Sequence, residues 1–154
     1  MNFKIVCITL TFLIAISVFS IASTATHFEC KGSARCLSGI VTKVKDGDTL
    51  VLNKNITVRL ALVDTPEKKD KIGWKNATEF TTKLCLNSTA KVDEDDKQKK
   101  GSYGRVVGVV YCGETNLNMA LLESGLANVI TEYCKKSEFV NEKWASFCAI
   151  KKKR

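Results

Sequence analysis

Four acidic and two basic residues in this chain are spaced to suit a cation and a phosphate bound side by side. Asp46-Gly47-Asp48-Thr49 sets two carboxylates on either side of a glycine, and Asp64 and Glu67 flank Thr65-Pro66. Two or three carboxylates, a backbone carbonyl and waters make an oxygen-rich site for a hard cation, Ca²⁺ above all. Arg59 and Arg105 supply the positive half. A guanidinium never loses its charge and presents a planar fork to phosphate, so two of them can offset the charge of a pentavalent phosphoryl transition state. Singly, each element has a plainer reading. Asp-Gly-Asp is an ordinary turn, Asp64 before Thr-Pro can cap its own loop, and either arginine can form a surface ion pair.

The elements that must position these residues can be read from periodicity. Val58-Arg59-Leu60-Ala61-Leu62 alternates as a strand, and the pattern predicts a strand over 56–63. It ends at Asp64-Thr65-Pro66, because proline fixes its own φ, lacks an N–H and keeps Thr65 extended. Residues 39–45 also alternate, and Asp46-Gly47 turns them into a second strand over 49–52. If the first and third strands are neighbours, the Asp46–Asp48 turn and the strand end at Asp64 meet. Over 73–86 the period becomes helical, with Ala77, Phe80 and Leu84 on one face. Strands follow over 90–95 and 104–111, then a helix over 117–124 with Asn116 or Asn118 as its cap and Gly125 as its stop. Ser137 is placed to cap a last helix, with Val140, Trp144 and Phe147 on one stripe. Five short strands, a helix after the third and helices at the end outline a small closed β-barrel, OB-like. The run Asp93-Glu94-Asp95-Asp96 reads as a solvated strand end ahead of a second metal site.

A chain of 154 residues is one domain by length, and with a single proline and no repeat it has no evident linker. Residues 1–25 have a basic start, an apolar stretch and a small-residue exit. They read as a signal peptide cut after Ala25, and so predict a secreted protein. The alternative is an uncleaved membrane anchor at the cell surface, since the run approaches the ~20 residues of a span. Residues 26–37 read as an irregular lead-in and 38–154 as the domain. Lys4 is the one charged residue before position 26, so the mature chain carries 23 basic and 16 acidic residues, net +7. That balance attracts polyanions without implying catalysis, and the tail Lys151-Lys152-Lys153-Arg154 reads as a solvated end.

Six of the seven cysteines follow the leader, an even set that favours disulfides in a secreted chain. Fifteen pairings are formally open. The favoured set closes Cys30–Cys36 and Cys134–Cys148 as local loops and ties a helix end to a hairpin through Cys85–Cys112. Zinc is disfavoured, because no Cys-x-x-Cys pair occurs and His27 is the only histidine. Asn55, Asn76 and Asn87 each begin a glycosylation sequon.

Asp46-Gly47-Asp48-Thr49, Arg59-Leu60-Ala61-Leu62-Val63-Asp64-Thr65-Pro66-Glu67 and Tyr103-Gly104-Arg105 resemble the staphylococcal (thermonuclease-like) nuclease family in order and spacing. The segment from Leu117 through Gly125-Leu126-Ala127 resembles that family's second helix and the turn after it. The likeness covers roughly residues 38–148. It implies an α+β fold, a five-stranded OB-fold barrel with three helices, and Ca²⁺-dependent hydrolysis of phosphodiester bonds in DNA and RNA. By matching positions it implies Asp48, Asp64 and the carbonyl of Thr65 as Ca²⁺ ligands, with Asp46 just behind them. Arg59 and Arg105 would grip the scissile phosphate, and Glu67 would hold or deprotonate the attacking water. Tyr103 would bond a terminal phosphate, and Tyr133 matches a second substrate-binding tyrosine. Two positions depart from the pattern: Ser102 stands where the family often has Lys, and Thr131 where it often has Tyr. Both belong to substrate gripping, so weaker binding or altered end preference is expected with the chemistry intact. The competing expectation is a catalytically silent OB module that binds nucleic acid through its charge. No protein partner is implied, and a monomer is the default.

Overall fold

The computed structural model describes residues 28–99 and 103–150; the expected leader over 1–25, Ser102 and the basic tail lie outside them. Eight strands are named in chain order: β1 (Cys36–Asp46), β2 (Thr49–Leu52), β3 (Ile56–Leu60), β4 (Val63–Asp64), β5 (Thr89–Glu94), β6 (Val106–Cys112), β7 (Thr115–Asn116) and β8 (Asn128–Val129). The helices are α1 (Lys71–Cys85), α2 (Leu117–Glu123) and the short α3 (Phe147–Ile150). The long β1 pairs with β5 through its first half and with β2 through its second. β2 continues to β3, and β3 lies parallel to β6, which pairs with β5 and closes a five-stranded barrel. This is the expected α+β OB-fold.

Alternation decides what the barrel buries. Leu50, Leu52, Val58, Leu60, Val92 and Val110 point inward and are essentially sealed from water. α1 and α2 cap this core with Cys85, Leu117 and Leu121, while Phe80 and Leu84 pack against its rim. The nearly continuous apolar run of β6 has a simple cause. Val106 and Val110 face the barrel, and Val107 and Val109 face a second cluster under the C-terminal segment with Phe139, Ala145 and the Cys134 and Cys148 side chains. The sulfurs of Cys30 and Cys36, Cys85 and Cys112, and Cys134 and Cys148 lie at bonding distance, the favoured pairing.

The structure corrects four local expectations. Strand 56–63 is two strands: the chain breaks after Leu60, where Leu62 takes a φ of 60° and Val63–Asp64 turns to pair with β8. Alternation cannot reveal a leucine in the left-handed region, since glycine is its usual occupant. The lead-in is also shorter than expected, because β1 already starts at Cys36. The last helix is not one helix either. Ser137 caps a 3₁₀ turn (Glu138–Asn141), extended backbone at Glu142 resets the chain, and a second turn (Lys143–Ala145) precedes α3. Glu142 is drawn to Lys31 by an ion pair, and Phe147 is left largely exposed.

The fourth correction concerns Asp93-Glu94-Asp95-Asp96, which is a set of clamps rather than a solvated end. Asp93, Glu94 and Asp95 are 5%, 2% and 0% exposed, so their carboxylates need partners. Asp93 accepts from the Lys31 amide at 3.0 Å, and Glu94 receives the Arg35 fork at 2.7 and 2.8 Å. Asp95 accepts from the Glu138 amide at 3.2 Å, and Asp96 from the Ser33 amide at 2.9 Å. The cluster fastens the lead-in and the C-terminal segment to the end of β5. The Arg35 hydrogen bonds hold the Glu94 carboxyl below its ordinary value of 4.5. A carboxylate depressed in the folded state contributes stability above its unfolded value and loses it as pH falls through the folded one. Glu94→Gln is therefore expected to cost about 1 kcal/mol at pH 7, kept small because Arg35 is half in solvent. The difference should shrink as pH falls below 4.5 and the folded carboxyl takes up its proton, as urea unfolding at pH 7 and at successively lower pH will show.

Candidate functional site

The Asp46–Asp48 turn is locked from two sides. The Thr81 hydroxyl of α1 donates to the Gly47 carbonyl at 2.6 Å, and the Leu60 amide of β3 donates to the Asp48 carbonyl at 2.9 Å. Gly47 is where helix, turn and Thr65 loop come closest. A Cβ there would stand 2.6 Å from the Ala77 Cβ and 2.7 Å from the Thr65 Cγ2. Gly47→Ala must push the turn off α1, at a cost of about 1–3 kcal/mol, and should lower activity more than heat stability alone explains. A melting curve and a turnover assay on the same preparation will check this.

The turn aims Asp48 inward, 5% exposed. Its Oδ2 accepts from the Thr65 amide at 2.8 Å and the Thr65 hydroxyl at 2.9 Å, and its Oδ1 accepts from the Thr49 hydroxyl at 3.1 Å. Arg59 completes the set. Its Nη1 lies 3.1 Å from Asp48 Oδ1 and its Nη2 3.2 Å from Asp64 Oδ1, and Nη1 also donates to the Val63 carbonyl. One guanidinium thus sits between two carboxylates that the β3 break and the β1–β2 turn bring together. Asp46 stands behind, its Oδ1 accepting from the Asp48 amide at 3.3 Å.

Electrostatics show a site with surplus negative charge. Burial first, then the Asp48 charge, pushes the Asp46 carboxyl above its ordinary value. Burial also raises Asp64; the Arg59 charge opposes this, while Asp48, Glu67 and Glu132 add to it. Glu67 is exposed one step beyond Pro66, and its charge reaches Asp64. Arg59 and Arg105 line one cavity of about 140 Å³ with Leu62, Gln98, Val107 and Tyr133. Tyr103 is 97% exposed and its ring centroid lies 6.0 Å from the Arg105 guanidinium carbon. Thr131 borders a different groove, beside Asn128 and Trp144.

Among the described residues no three acidic, histidine or cysteine side chains form a metal cage. The donor set here is smaller and its chemistry is hard: two carboxylates that already share one positive group, with Thr65 bound to one of them through its amide and hydroxyl. That shared guanidinium stands in for a cation, so the residues fit a divalent ion. With the two-arginine cavity alongside, the arrangement can neutralise a phosphate from one side and present carboxylates from the other. Two participants were not foreseen. Gln98 reaches the cavity because its Nε2 donates to buried Asp95 at 2.9 Å, and Glu132 reaches Asp64 because β8 brings the following turn back to β4. No local motif marks either, since both arrive by long-range packing.

The family model described as Staphylococcal nuclease homologue matches residues 57–152. The chain is 36% identical over 98 residues to a thermonuclease of Staphylococcus intermedius, covering 58% of each chain. It is 35% identical over 95 residues to a thermonuclease of Staphylococcus hyicus, covering 56% of each. It is 33% identical over 97 residues to a Haemophilus influenzae protein described as an uncharacterized endonuclease, covering 60% of this chain and 52% of that protein. The chain thus spans between half and three-fifths of the length of these curated relatives.

Proposed function

The chain belongs to the staphylococcal nuclease family, and from that membership and the site geometry we propose that it is a secreted, Ca²⁺-dependent nuclease hydrolysing phosphodiester bonds of DNA and RNA. The observation that carries the reading is the Asp48–Arg59–Asp64 bridge beside a cavity that Arg59 shares with Arg105.

In this reading Asp48, Asp64 and the Thr65 carbonyl hold the ion. A bound divalent cation would draw charge from a phosphate oxygen. The protein's own groups do the rest. Arg59 and Arg105 fork onto the non-bridging oxygens and gain strength as charge builds in the transition state. Glu67, exposed and next to Asp64, orients the attacking water and takes its proton, while the P–O bond opposite the water breaks and the leaving oxygen takes a proton from solvent. Asp46 acts behind the ligands by fixing the Asp48 amide. Tyr103 reaches a terminal phosphate, and Tyr133, on the rim of the arginine cavity, offers a stacking face. With Thr131 turned to another groove, base or sugar stacking is weaker than in relatives that carry tyrosine there.

Three disulfides suit an oxidising compartment, which supports a secreted address. Mature N-terminal sequencing should find His27 within the first few residues; an intact Met1 would make the leader an anchor. The activity is tested by incubating the full chain with DNA and with RNA in Ca²⁺, with and without EGTA. Cleavage of both in Ca²⁺, lost in chelator and restored by added Ca²⁺, is the expected result. Tight binding without cleavage would make the protein a silent OB module instead.

A further inference from the structure

We propose that the outer face of β1, β2 and β3 carries a second phosphate-binding groove, built from Lys43, Lys45 and Lys54, that holds the nucleic-acid strand running on from the cleavage site; this rests on the nuclease reading above. The groove has a volume of about 450 Å³. Among the described residues its lining holds these three lysines, Thr42, Val51 and Thr57 with Asn55, and no carboxylate.

The strand register connects it to the site. Lys43, Val51 and Thr57 form one row across β1, β2 and β3, and Asp46, Thr49 and Arg59 form the next. Leu50, Leu52, Val58 and Leu60 fill the barrel from the opposite face, so both rows look outward on one surface. Two residues along a strand span ~6.6 Å. The lysine row therefore begins one short step from Arg59, at a distance a phosphodiester backbone covers without turning. Lys45 is already aimed across the rows, its Nζ donating to the Thr57 hydroxyl at 3.2 Å.

The β2–β3 turn adds an independent sign. Asn53 and Lys54 have φ values of 49° and 68°. Asparagine and glycine tolerate this region and lysine does not favour it. The turn is pinned to β1 in this form: the Lys54 amide donates to the Thr42 hydroxyl at 3.0 Å, and Asn53 Oδ1 accepts from the Ile40 amide at 3.0 Å. Lysine stems shielding Val51 would account for apolar cover. That role explains neither a charge kept at an unfavourable φ nor a lining without one acid. A polyanion satisfies both, and the strand leaving the Arg59 phosphate is the polyanion already on this face.

The test measures binding of a labelled single strand of about 20 nucleotides in EDTA across a salt series, for the parent chain, K43Q/K45Q/K54Q and a control, K75Q/K83Q/K91Q, that removes equal charge from α1 and β5. Each lost contact flattens the log–log salt dependence by about 0.7. The groove variant is expected to be shallower by about 2 and to bind about tenfold more weakly at low salt, with the control near the parent. Its hydrolysis of a dinucleotide in Ca²⁺ should match the parent's. Lys54→Gly, which relaxes the turn, should melt no lower than the parent yet bind the strand more weakly, separating the effect from unfolding. An unchanged slope or an equal loss in the control would each overturn the groove. Lost strand binding in a protein whose parent cleaves nothing would keep the groove and remove the nuclease reading.

Discussion

Glu67→Gln and Arg105→Ala are each expected to slow DNA hydrolysis ~10²–10³-fold, the effect of removing one preorganised electrostatic group and equal to about 2.7–4 kcal/mol of transition-state stabilisation. Neither change should disturb folding. Glu67 is exposed, and the hydrogen bond that its segment contributes, from the Asp70 amide at 2.8 Å, uses the backbone carbonyl, which glutamine keeps. Arg105 precedes β6, outside the ladder that closes the barrel. Melting temperatures should therefore stay within the narrow range of surface substitutions. The two losses should differ in kind. Glutamine at 67 still hydrogen-bonds water but cannot take its proton, so kcat falls at nearly constant KM. Alanine at 105 removes a fork that also grips the ground-state phosphate, so KM rises as well. If either variant kept most of its activity in Ca²⁺, the assignment of roles would be wrong.

What sequence could and could not say about this site follows from the range of the forces involved. The Asp48–Asp64–Arg59 meeting was legible in its parts, since Asp-Gly forces a turn, Pro66 stops a ladder and Arg59 alternates with core residues. Its route was not legible: the first and third strands are not neighbours, and it is β2, lying between them, that sets Thr49 opposite Arg59 and so brings Asp48 to it. The barrel was legible from the same local patterns. The break at Leu62 was not, because nothing in Ala-Leu-Val announces a leucine with positive φ. Nor was the acidic run at the end of β5. Four consecutive acids look solvated until the Lys31–Arg35 lead-in and the Glu138 turn fold over them. Gln98 reaches the arginine cavity through Asp95, a residue buried by that same closure. Short-range rules marked the carboxylates and Arg59, and long-range packing set the walls around them.

Removing the Cys85–Cys112 bridge by paired alanine substitution is expected to cost more stability than removing either other disulfide. The bridge spans 27 residues of sequence, against 14 for Cys134–Cys148 and 6 for Cys30–Cys36. Loop-closure entropy then gives about 3.5, 3 and 2 kcal/mol respectively. Position widens the gap, because Cys85 and Cys112 lie in the main core where alanine leaves unfilled space, at 0% and 7% exposure. At roughly 4 °C per kcal/mol for a domain of this size, the midpoint should fall by about 14 °C or more. The loss should also reach the site. Cys85 ends α1, and one turn before it Thr81 holds the Gly47 carbonyl that sets the Asp48 turn. Turnover at 25 °C should stay near the parent's while the native ensemble dominates, then collapse at lower temperature on heating. Calorimetry of the three paired variants, read beside activity against temperature, checks both parts. Midpoint losses that did not follow loop length would overturn the ranking of the three bridges, and activity that outlived the main transition would mean that α1 is not what holds the carboxylate turn in place.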